Sequence, residues 1–591
     1  MSKHYARREF LKTAAVSGAA LAAGDLVSEA YSAIPAKWDK EADVVVIGAG
    51  AVGLPAAIEA VENKASVIVV ESNIDVGGHA ILSGGNVPLG GGTSAQKKHG
   101  IQDSPELLFT DLTDWSVIQP HGAADYRFND REIVHAFAEQ SAPTFEWLAA
   151  HGVTFIDRAP DAWGGISIGN SAAREMHTAV MTWPLIQTGK PVNSSVQATT
   201  SGGVGLIRPL EAAARKLGVQ ILLEHRMTSI IRESPSAGRA VGITVDSKGK
   251  KLSIRARRGI IIGTGGHSSN VNFRRIFDPR LTEEYCGVSG EPYSYQDASG
   301  EIAAISVGAS LWGAANQTAE FGFHITKPGR IGCQYGYTNL VWEPTSQWFH
   351  LARAVGLEVK DPQDVIYVNQ VGRRFYNEAA AQFTANNWNS IPNYVPNSYL
   401  NAARMRCEPA NYLPAAMGLN GGTGNGGGPI WAIFDADAVK RENWNPKPPY
   451  VDFDAGFFFS ANTIQELAAS IVNKHQKKSI PAQALQDTVE RYNRFVDEGE
   501  DADFAKPVPK FRIQTAPFYA AWATPVIHDT RAGLRINARC QVQDLHGRVI
   551  PGLYCGGESA GGFSEHGLAR CIVQGRISGR NAALEVVKNP R

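Results

Sequence analysis

The 591-residue sequence has few cysteines, and their spacing excludes several prosthetic groups. No two of the six form a CxxC or CxxCH pair, so we expect no zinc ribbon, covalent c-type haem, iron–sulfur cluster or other metal site in this chain. An oxidising compartment would permit disulfides, but free, buried thiols are the favoured interpretation. The six are Cys286, Cys333, Cys407, Cys540, Cys555 and Cys571.

Two further absences narrow the class of protein. The 57 lysines and arginines balance the 57 aspartates and glutamates, so the chain has no basic surplus and no nucleic-acid partner is expected. No stretch after the N-terminal segment provides the roughly 20 apolar residues of a membrane helix. Glycine, in contrast, is abundant at 60 residues, which suits tight turns and close approach of the backbone to a ligand.

A nucleotide-binding signature lies near the start. Asp43–Ile47 and Ala65–Val70 predict strands on either side of a helix that begins after Gly48-Ala-Gly50-Ala-Val-Gly53. In such a βαβ unit the glycines let a pyrophosphate approach the backbone at the helix N-terminus. An acidic residue about 20 positions on, here Glu71, binds the ribose hydroxyls. The motif alone does not separate NAD from FAD.

A C-terminal pattern separates the two dinucleotides. Pro551-Gly-Leu-Tyr-Cys-Gly-Gly-Glu558, followed by Gly561-Gly562, resembles the late strand–turn–helix that closes the FAD site in flavoproteins with two dinucleotide-binding domains. This resemblance implies that Glu558 binds the ribityl chain. A helix predicted around Ala569 to Asn581 would direct its positive end at the flavin pyrimidine ring.

The chain resembles the flavoprotein family of fumarate reductases and succinate dehydrogenases, which also holds urocanate reductases and 3-ketosteroid 1-dehydrogenases. The resemblance implies bound FAD and transfer of a hydride between flavin N5 and a carbon next to a carbonyl-type group. Further matching segments run in order along the chain: Gly77–Gly85, Gly202–Glu224, Gly263–Gly266, Asp297–Ala309 and Val368–Glu378.

The resemblance also implies the fold and the domains. We expect an α/β fold: a Rossmann-like FAD domain of the two-dinucleotide-binding-domain type, with an inserted α+β cap domain. The predicted division is an export signal at 1–36, a first FAD-binding segment at 37–330, a cap and substrate domain at 331–514, and a C-terminal FAD-binding segment at 515–591.

The residues expected to bind FAD come from six segments. For His79 two roles stay open: a covalent bond to the flavin, as in succinate dehydrogenases, although the loop here is one residue shorter, or a hydrogen bond to the pyrophosphate or the loop backbone. The predicted cofactor residues are Gly48, Gly50, Ala51, Val52, Gly53, Glu71, Ser72, Gly78, His79, Ser83, Gly84, Gly85, Gly265, Gly557, Glu558, Cys571 and Ile572.

The expected substrate chemistry departs from the reductase pattern. The fumarate-type reductases carry a proton-donating Arg after the Asn-Glu of the cap hairpin, whereas Asn377-Glu378 is followed by Ala-Ala-Ala-Gln. Asp529 stands where those enzymes have a substrate-binding His, and its charge would repel a dicarboxylate. The loop spacing from Gly77 to Gly85 is instead similar to that of the ketosteroid dehydrogenases.

Phe563–Cys571 replaces the Tyr-Pro-Gly segment that the ketosteroid dehydrogenases place near the flavin. It brings Glu565, His566 and Arg570 to the place where substrate and flavin would meet. The alternative is that Ser564 or Glu565 merely caps the following helix. The predicted catalytic residues are Arg570, His566, His528 and Asp529.

The sequence thus favours an FAD-dependent oxidoreductase that dehydrogenates a cyclic or ketone-type compound. Two alternatives remain: a periplasmic reductase of an α,β-unsaturated carboxylate of the fumarate or urocanate type, and a non-catalytic flavin-binding protein. Because the chain has no haem motif, a separate electron acceptor or donor is expected beside the small organic substrate: a quinone, a cytochrome or oxygen.

The N-terminal segment predicts a cellular location. Arg7-Arg8-Glu-Phe-Leu-Lys12 precedes the weakly apolar stretch Thr13–Gly24, the layout of a twin-arginine export signal. That route carries folded proteins, which suits a protein that must close around FAD before it reaches the periplasm. The alternative is an amphipathic N-terminal helix that stays on the protein.

Overall fold

The structure is a computed structural model. The residues it describes are 34–113, 129–161, 171–179, 202–277, 281–282, 287–288, 290–313, 330–336, 341–375, 377–379, 428–524, 526–527, 529–563, 565 and 567–587. Among the sequence predictions, the twin-arginine motif, His528, His566, Ser564, Cys286 and Cys407 lie outside these ranges.

The elements alternate between strands and helices over much of the described chain. The strands are β1 Lys40–Ile47, β2 Val67–Val70, β3 Asn86–Pro88, β4 Glu175–His177, β5 Gln220–Leu222, β6 Arg226–Arg232, β7 Ala240–Ser247, β8 Lys250–Ile262, β9 Gly287–Val288, β10 Leu311–Trp312, β11 Arg330–Ile331, β12 Leu357–Glu358, β13 Ile366–Val368, β14 Trp431–Phe434, β15 Phe458–Ala461, β16 Phe518–Trp522, β17 Val526–Ile527, β18 Gly533–Leu534, β19 Gln541–Gln543 and β20 Val549–Cys555. The helices are α1 Gly53–Glu62, α2 Gly78–Leu82, α3 Ser94–Lys98, α4 Pro105–Thr113, α5 Arg131–Ala150, α6 Val204–Lys216, α7 Val271–Arg274, α8 Ser299–Ser306, α9 Phe349–Ala352, α10 Ala436–Glu442, α11 Ile464–Ser470, α12 Ala482–Glu498 and α13 Leu568–Ala583, with single 3₁₀ turns at Pro362–Asp364 and Gly557–Ser559.

The larger sheet has the strand order β19-β20-β8-β1-β2-β5, with the β6–β7 hairpin joined to β8. The pairs β20–β8, β8–β1, β1–β2 and β2–β5 are parallel. Strands β1 and β2 are almost continuously buried and rich in valine and isoleucine, as a parallel sheet covered on both faces requires. The predicted strand at 43–47 and the predicted α/β class are confirmed.

Four parallel strands of this sheet end in one row. Ile47 pairs with Val70 on one side and with Ile262 on the other, and Ile262 pairs with Cys555. The next residues along the four strands are Gly48, Glu71, Gly263 and Gly556. Sequence segments as far apart as Gly48 and Gly556 therefore meet at one sheet edge, the usual ligand-binding edge of such sheets.

Helices α1 and α13 pack closely on one face of the sheet. A Cβ on Gly579 would collide with the carbonyl oxygen of Ala56, so glycine is required for this approach. Buried Glu59 of α1 joins the pair by accepting hydrogen bonds from Arg576 (2.9 Å) and Arg580 (2.8 Å) of α13. Both helices begin at the sheet edge described above. The predicted C-terminal helix is confirmed as Leu568–Ala583.

A second sheet has the antiparallel order β13-β14-β16-β15. Its residues alternate between two apolar cores: Ile366, Val368 and Trp431 pack with helices α11 and α12, and Tyr367 and Phe434 pack on the other side. Strand β16, at Phe518–Trp522, belongs to this sheet although the predicted cap ends at 514. The domain division stays a prediction.

Two further expectations concern the state of the cysteines and the lack of a membrane helix. The described cysteines Cys333, Cys540, Cys555 and Cys571 are free and buried, which confirms the interpretation for these four. Among the helices of the described ranges, none has the length and apolarity of a membrane crossing.

Candidate active site

The β1–α1 turn forms the centre of the site. Gly48 has a φ of +95°, and a Cβ there would collide with the carbonyl oxygen of Gly263 in the neighbouring strand connection. Helix α1 starts at Gly53, and no side chain in the described part of the chain caps it at Val52. The N–H of Leu54 donates to the Gly50 carbonyl oxygen and Pro55 has no N–H, so an anion such as a pyrophosphate would use the N–H groups of the turn that precedes them.

Glu71, directly after β2, holds this turn in place. Its Oε2 accepts a hydrogen bond from the backbone N–H of Ala49 (2.8 Å), and its Oε1 accepts from that of Asn73 (2.8 Å) and the hydroxyl of Ser72 (3.3 Å). Burial raises the pKa of the carboxyl group. Each carboxylate oxygen retains further lone-pair capacity, so Glu71 can bind a ribose hydroxyl while it shapes the phosphate turn.

The loop Gly77–Gly85 lies next to the turn. The N–H of Gly77 donates to the carbonyl oxygen of Ala49 (2.9 Å). Ser83 Oγ donates to the carbonyl oxygen of Ala80 (2.7 Å), and the Ser83 carbonyl oxygen accepts from Gly203 N (2.9 Å). Ser83 therefore ties this loop to the start of helix α6, while Gly84 and Gly85 carry the chain into β3.

Glu558, His79 and Gln296 form a hydrogen-bonded group. Gln296 Nε2 donates to Glu558 Oε2 (2.7 Å) and lies 3.2 Å from His79 Nδ1, which then accepts. Ser268 donates to the Gln296 amide oxygen and so orients the amide. Burial and the charge of Asp529 raise the pKa of Glu558 to about 8, although the charge of Arg570 opposes them.

Gln296 is a site residue that the sequence prediction missed. It lies immediately before Asp297, where the matching helix segment begins, and it belongs to no glycine or acidic motif. Only the folded chain brings it between residues 79 and 558. Ser559 is a second such residue: its hydroxyl accepts from the N–H of Gly266 (3.1 Å), beside Gly265.

The first turn of α13 meets the β1–α1 turn through Gly557. The Gly557 N–H donates to Gln574 Oε1 (2.7 Å), and a Cβ at Gly557 would press on Val52 and on the Cys571 thiol. Burial raises the pKa of Cys571 to about 12, so its thiol is protonated and acts as an apolar group. Ile572, the next residue, is fully buried.

The predicted catalytic residues Asp529 and Arg570 are both brought to the N-terminal end of α13, and both are at most 2% exposed. Arg570 donates from Nη1 to the carbonyl oxygen of Phe563 (2.7 Å) and from Nη2 to that of Thr530 (2.9 Å). Its terminal donors thus join the segment before α13 to the loop 529–531. His528 and His566 lie outside the described residues.

Glu565 does not cap helix α13. The helix begins after Gly567, no described side chain caps it, and neither carboxylate oxygen of Glu565 has a hydrogen-bond partner in the described part of the chain. For this residue the capping alternative is wrong. The carboxyl group is instead buried inside the fold and close to charged neighbours.

The carboxyl group of Glu378, in the predicted cap, is paired with basic side chains of the same region. Glu378 accepts two hydrogen bonds from Arg374 (2.9 and 2.7 Å), and Lys506 Nζ lies 3.4 Å away. Burial would raise the pKa of Glu378, but the charges of Arg374 and Lys506 outweigh it and lower the pKa to about 2. Residues 380–427, which follow this segment, lie outside the described ranges.

The residues at the sheet edge fit FAD. Two uncapped helix N-termini, Glu71 and Glu558 supply the partners that pyrophosphate, ribose and ribityl groups need. Room is left beside the backbone, since a Cβ at Gly78 or Gly567 would meet no atom within 4 Å and one at Gly50 none closer than 3.7 Å. Within the described residues, no group of three or more His, Cys, Asp or Glu is placed to hold a metal ion.

Comparison with known proteins gives the same cofactor. A family model described as "FAD binding domain" matches residues 43–570. The acrylate reductase flavoprotein subunit of Shewanella woodyi is 27% identical, with 97% of each chain covered. The 3-oxosteroid 1-dehydrogenase of Mycolicibacterium smegmatis is 26% identical, with 88% of this chain and 92% of the relative covered.

A solved structure shows the fold. The 3-ketosteroid delta1-dehydrogenase from Sterolibacterium denitrificans matches 92% of this chain and 99% of its own, with a TM-score of 0.61 and 21% identity. The expected FAD-dependent flavoprotein fold is therefore confirmed.

We expect Glu71→Ala to weaken FAD binding by about 1–3 kcal/mol, or about 5- to 150-fold in Kd, because the Ala49 N–H and a ribose hydroxyl both lose their acceptor. Fluorescence titration of the apoprotein with FAD measures this change. Glu62→Ala, which removes an acid from the C-terminal end of the same helix α1, is the control and should bind FAD normally. An unchanged Kd in Glu71→Ala would rule out the ribose role.

We expect FAD to be held without a covalent bond, because His79 lies beside Gln296 and Glu558, where the ribityl chain is expected, whereas attachment needs the imidazole beside the dimethylbenzene ring. Acid precipitation of the purified holoprotein should release all flavin into the supernatant. A yellow, fluorescent pellet that becomes colourless in a His79→Ala variant would establish covalent attachment instead.

Proposed function

The chain belongs to the family described as FAD binding domain and is an FAD-dependent oxidoreductase, and from this premise we propose that it dehydrogenates a neutral cyclic or ketone-type compound. Bound FAD supplies hydride transfer at N5, coupled to loss or gain of a proton at the neighbouring substrate carbon. The chain must then bind the substrate carbonyl and exclude water.

The observation that carries this proposal is the charge balance at the N-terminal end of α13. Two carboxyl groups, those of Asp529 and Glu565, share a buried cluster with the guanidinium groups of Arg531 and Arg570. The carboxyl group of Asp529 offsets one of the two guanidinium charges. The terminal donors of Arg570 already bind backbone carbonyls. A neutral carbonyl compound suits such a site better than an anion.

The second candidate is reduction of an α,β-unsaturated carboxylate. It is favoured by the acrylate reductase flavoprotein subunit, the relative that aligns with 97% of this chain. The guanidinium group of buried Arg531 adds positive charge to the same cluster. The non-catalytic alternative is not supported, because relatives that span nearly the whole chain are named reductases and dehydrogenases.

We expect oxidised holoenzyme to lose its flavin absorption when a saturated cyclic ketone is added without oxygen, because hydride transfer reduces the flavin. The absorption spectrum of oxidised flavin should not return when dithionite-reduced enzyme receives acrylate, fumarate or urocanate. Free FAD with each compound is the control.

Return of the flavin band with the unsaturated acids, together with no bleaching by ketones, would replace this proposal by the reductase alternative. No response in either direction would refute both.

The electron partner and the location belong to the same proposal. A quinone, a cytochrome or oxygen would complete the cycle, since the chain itself has no haem motif. The twin-arginine motif supports export of the folded, FAD-loaded protein to the periplasm.

We expect the double change Arg7→Lys and Arg8→Lys to leave the protein in the cytoplasm, because the twin-arginine route recognises the arginine pair itself. Immunoblots of cell fractions and flavin fluorescence follow the protein and its cofactor. Lys3→Arg, which alters a basic residue outside the motif, should export normally. Periplasmic accumulation of the double variant at the normal level would reject the export proposal.

A further inference from the structure

Glu565 is a buried acid that none of the roles described above uses. It lies two residues before Gly567, the residue that precedes helix α13, and its side chain is fully buried. Neither of its oxygens has a hydrogen-bond partner in the described part of the chain. Buried polar groups are normally paired, so an unpartnered carboxyl group here indicates a ligand that the site is built to receive.

The charged groups that face Glu565 come from two segments. Arg570 is on α13, and Asp529 and Arg531 are on the loop that follows β17. The guanidinium group of Arg570 has its Nη1 and Nη2 donors on the carbonyl oxygens of Phe563 and Thr530. It lowers the pKa of the Glu565 carboxyl group without donating a hydrogen bond to it.

The balance of these effects favours the protonated form of Glu565. Burial is the largest influence and raises the pKa of the carboxyl group well above its usual value, while Arg570 and Arg531 lower it and Asp529 raises it. A protonated carboxyl group has one O–H donor. A buried donor that makes no hydrogen bond costs free energy. A carbonyl oxygen of a ligand would accept that hydrogen bond.

The position of Glu565 links it to the cofactor residues. Arg570 joins Phe563 to Thr530, whose Oγ1 donates to the Glu558 carbonyl oxygen (3.0 Å), and Glu558 in turn joins Gln296 and His79. Phe563, Arg570, the loop 529–531 and the predicted FAD-binding residue Glu558 therefore form one contiguous buried layer. Glu565 lies within the part of this layer next to the start of α13.

We propose that Glu565 is a catalytic residue that keeps its proton and donates a hydrogen bond to the carbonyl oxygen of a neutral substrate. This assignment rests on the proposed function, and it names the recognised group as a ketone-type oxygen. Negative charge that develops on this oxygen during proton and hydride transfer strengthens the hydrogen bond, while the proton stays on Glu565. The residue thus stabilises the transition state more than the bound substrate.

The turnover test compares two changes at Glu565 in the FAD-loaded enzyme. Glu565→Gln keeps a hydrogen-bond donor of similar shape and should retain kcat within about tenfold of the unchanged enzyme. Glu565→Leu removes the donor and should lower kcat about 100- to 1000-fold, the usual loss for one donor to an oxyanion. Asp364→Asn, which changes a buried acid paired with Arg441 beside the second sheet, is the control and should turn over normally.

Normal turnover of Glu565→Leu with full FAD content would overturn the assignment. Equal damage in Glu565→Gln and Glu565→Leu, again with FAD bound, would also overturn it, because the carboxylate charge rather than the donor would then be required.

An infrared measurement separates this proposal from the substrate proposal. Difference spectra between oxidised and dithionite-reduced holoenzyme should contain the carbonyl stretch of a protonated carboxyl group that is lost in Glu565→Gln and kept in Asp364→Asn. No substrate is needed, so the result stands even if no ketone is dehydrogenated. Identical difference spectra in Glu565→Gln and unchanged enzyme would show that Glu565 is ionised or remote from the flavin, and would refute the assignment.

Discussion

The common register of four parallel strands is the constraint on which the site depends. Ile47, Val70, Ile262 and Cys555 lie in one row of the sheet, so the residues that follow them meet at one edge. A shift of β1 by one residue would separate Gly48 from Gly263 and the Ala49 N–H from Glu71. The strand register thus determines where Gly48 and Glu71 lie relative to the C-terminal glycines.

Helix packing converts this edge into a binding site. The glycine contact between α1 and α13 and the buried pairing of Glu59 with Arg576 and Arg580 place both helix N-termini at the same edge. Two helix dipoles then point toward one ligand, and neither is neutralised by a described capping side chain. Ion pairing here determines geometry, since a buried ion pair adds little net stability by itself.

Burial also sets the chemistry beside the cofactor. Glu558 and Glu565 both have raised pKa values because desolvation disfavours their charged forms, and Asp529 adds to this effect. Arg570 opposes the shift, yet its terminal hydrogen bonds go to backbone carbonyls. The outcome is a buried polar layer in which the protonated forms of these acids are favoured and Arg570 positions the segments around them.

The sequence by itself determined the cofactor, the βαβ unit and the C-terminal helix, because glycine spacing and apolar periodicity are local signals. It also indicated Asp529, Glu565 and Arg570 as candidate site residues, because they lie in segments that match the family. Only the tertiary structure decided what these side chains do: Gln296 lies between His79 and Glu558, Arg570 binds main-chain carbonyls, and Glu565 has no described partner. Such roles depend on contacts between distant segments and on desolvation, which no local pattern encodes.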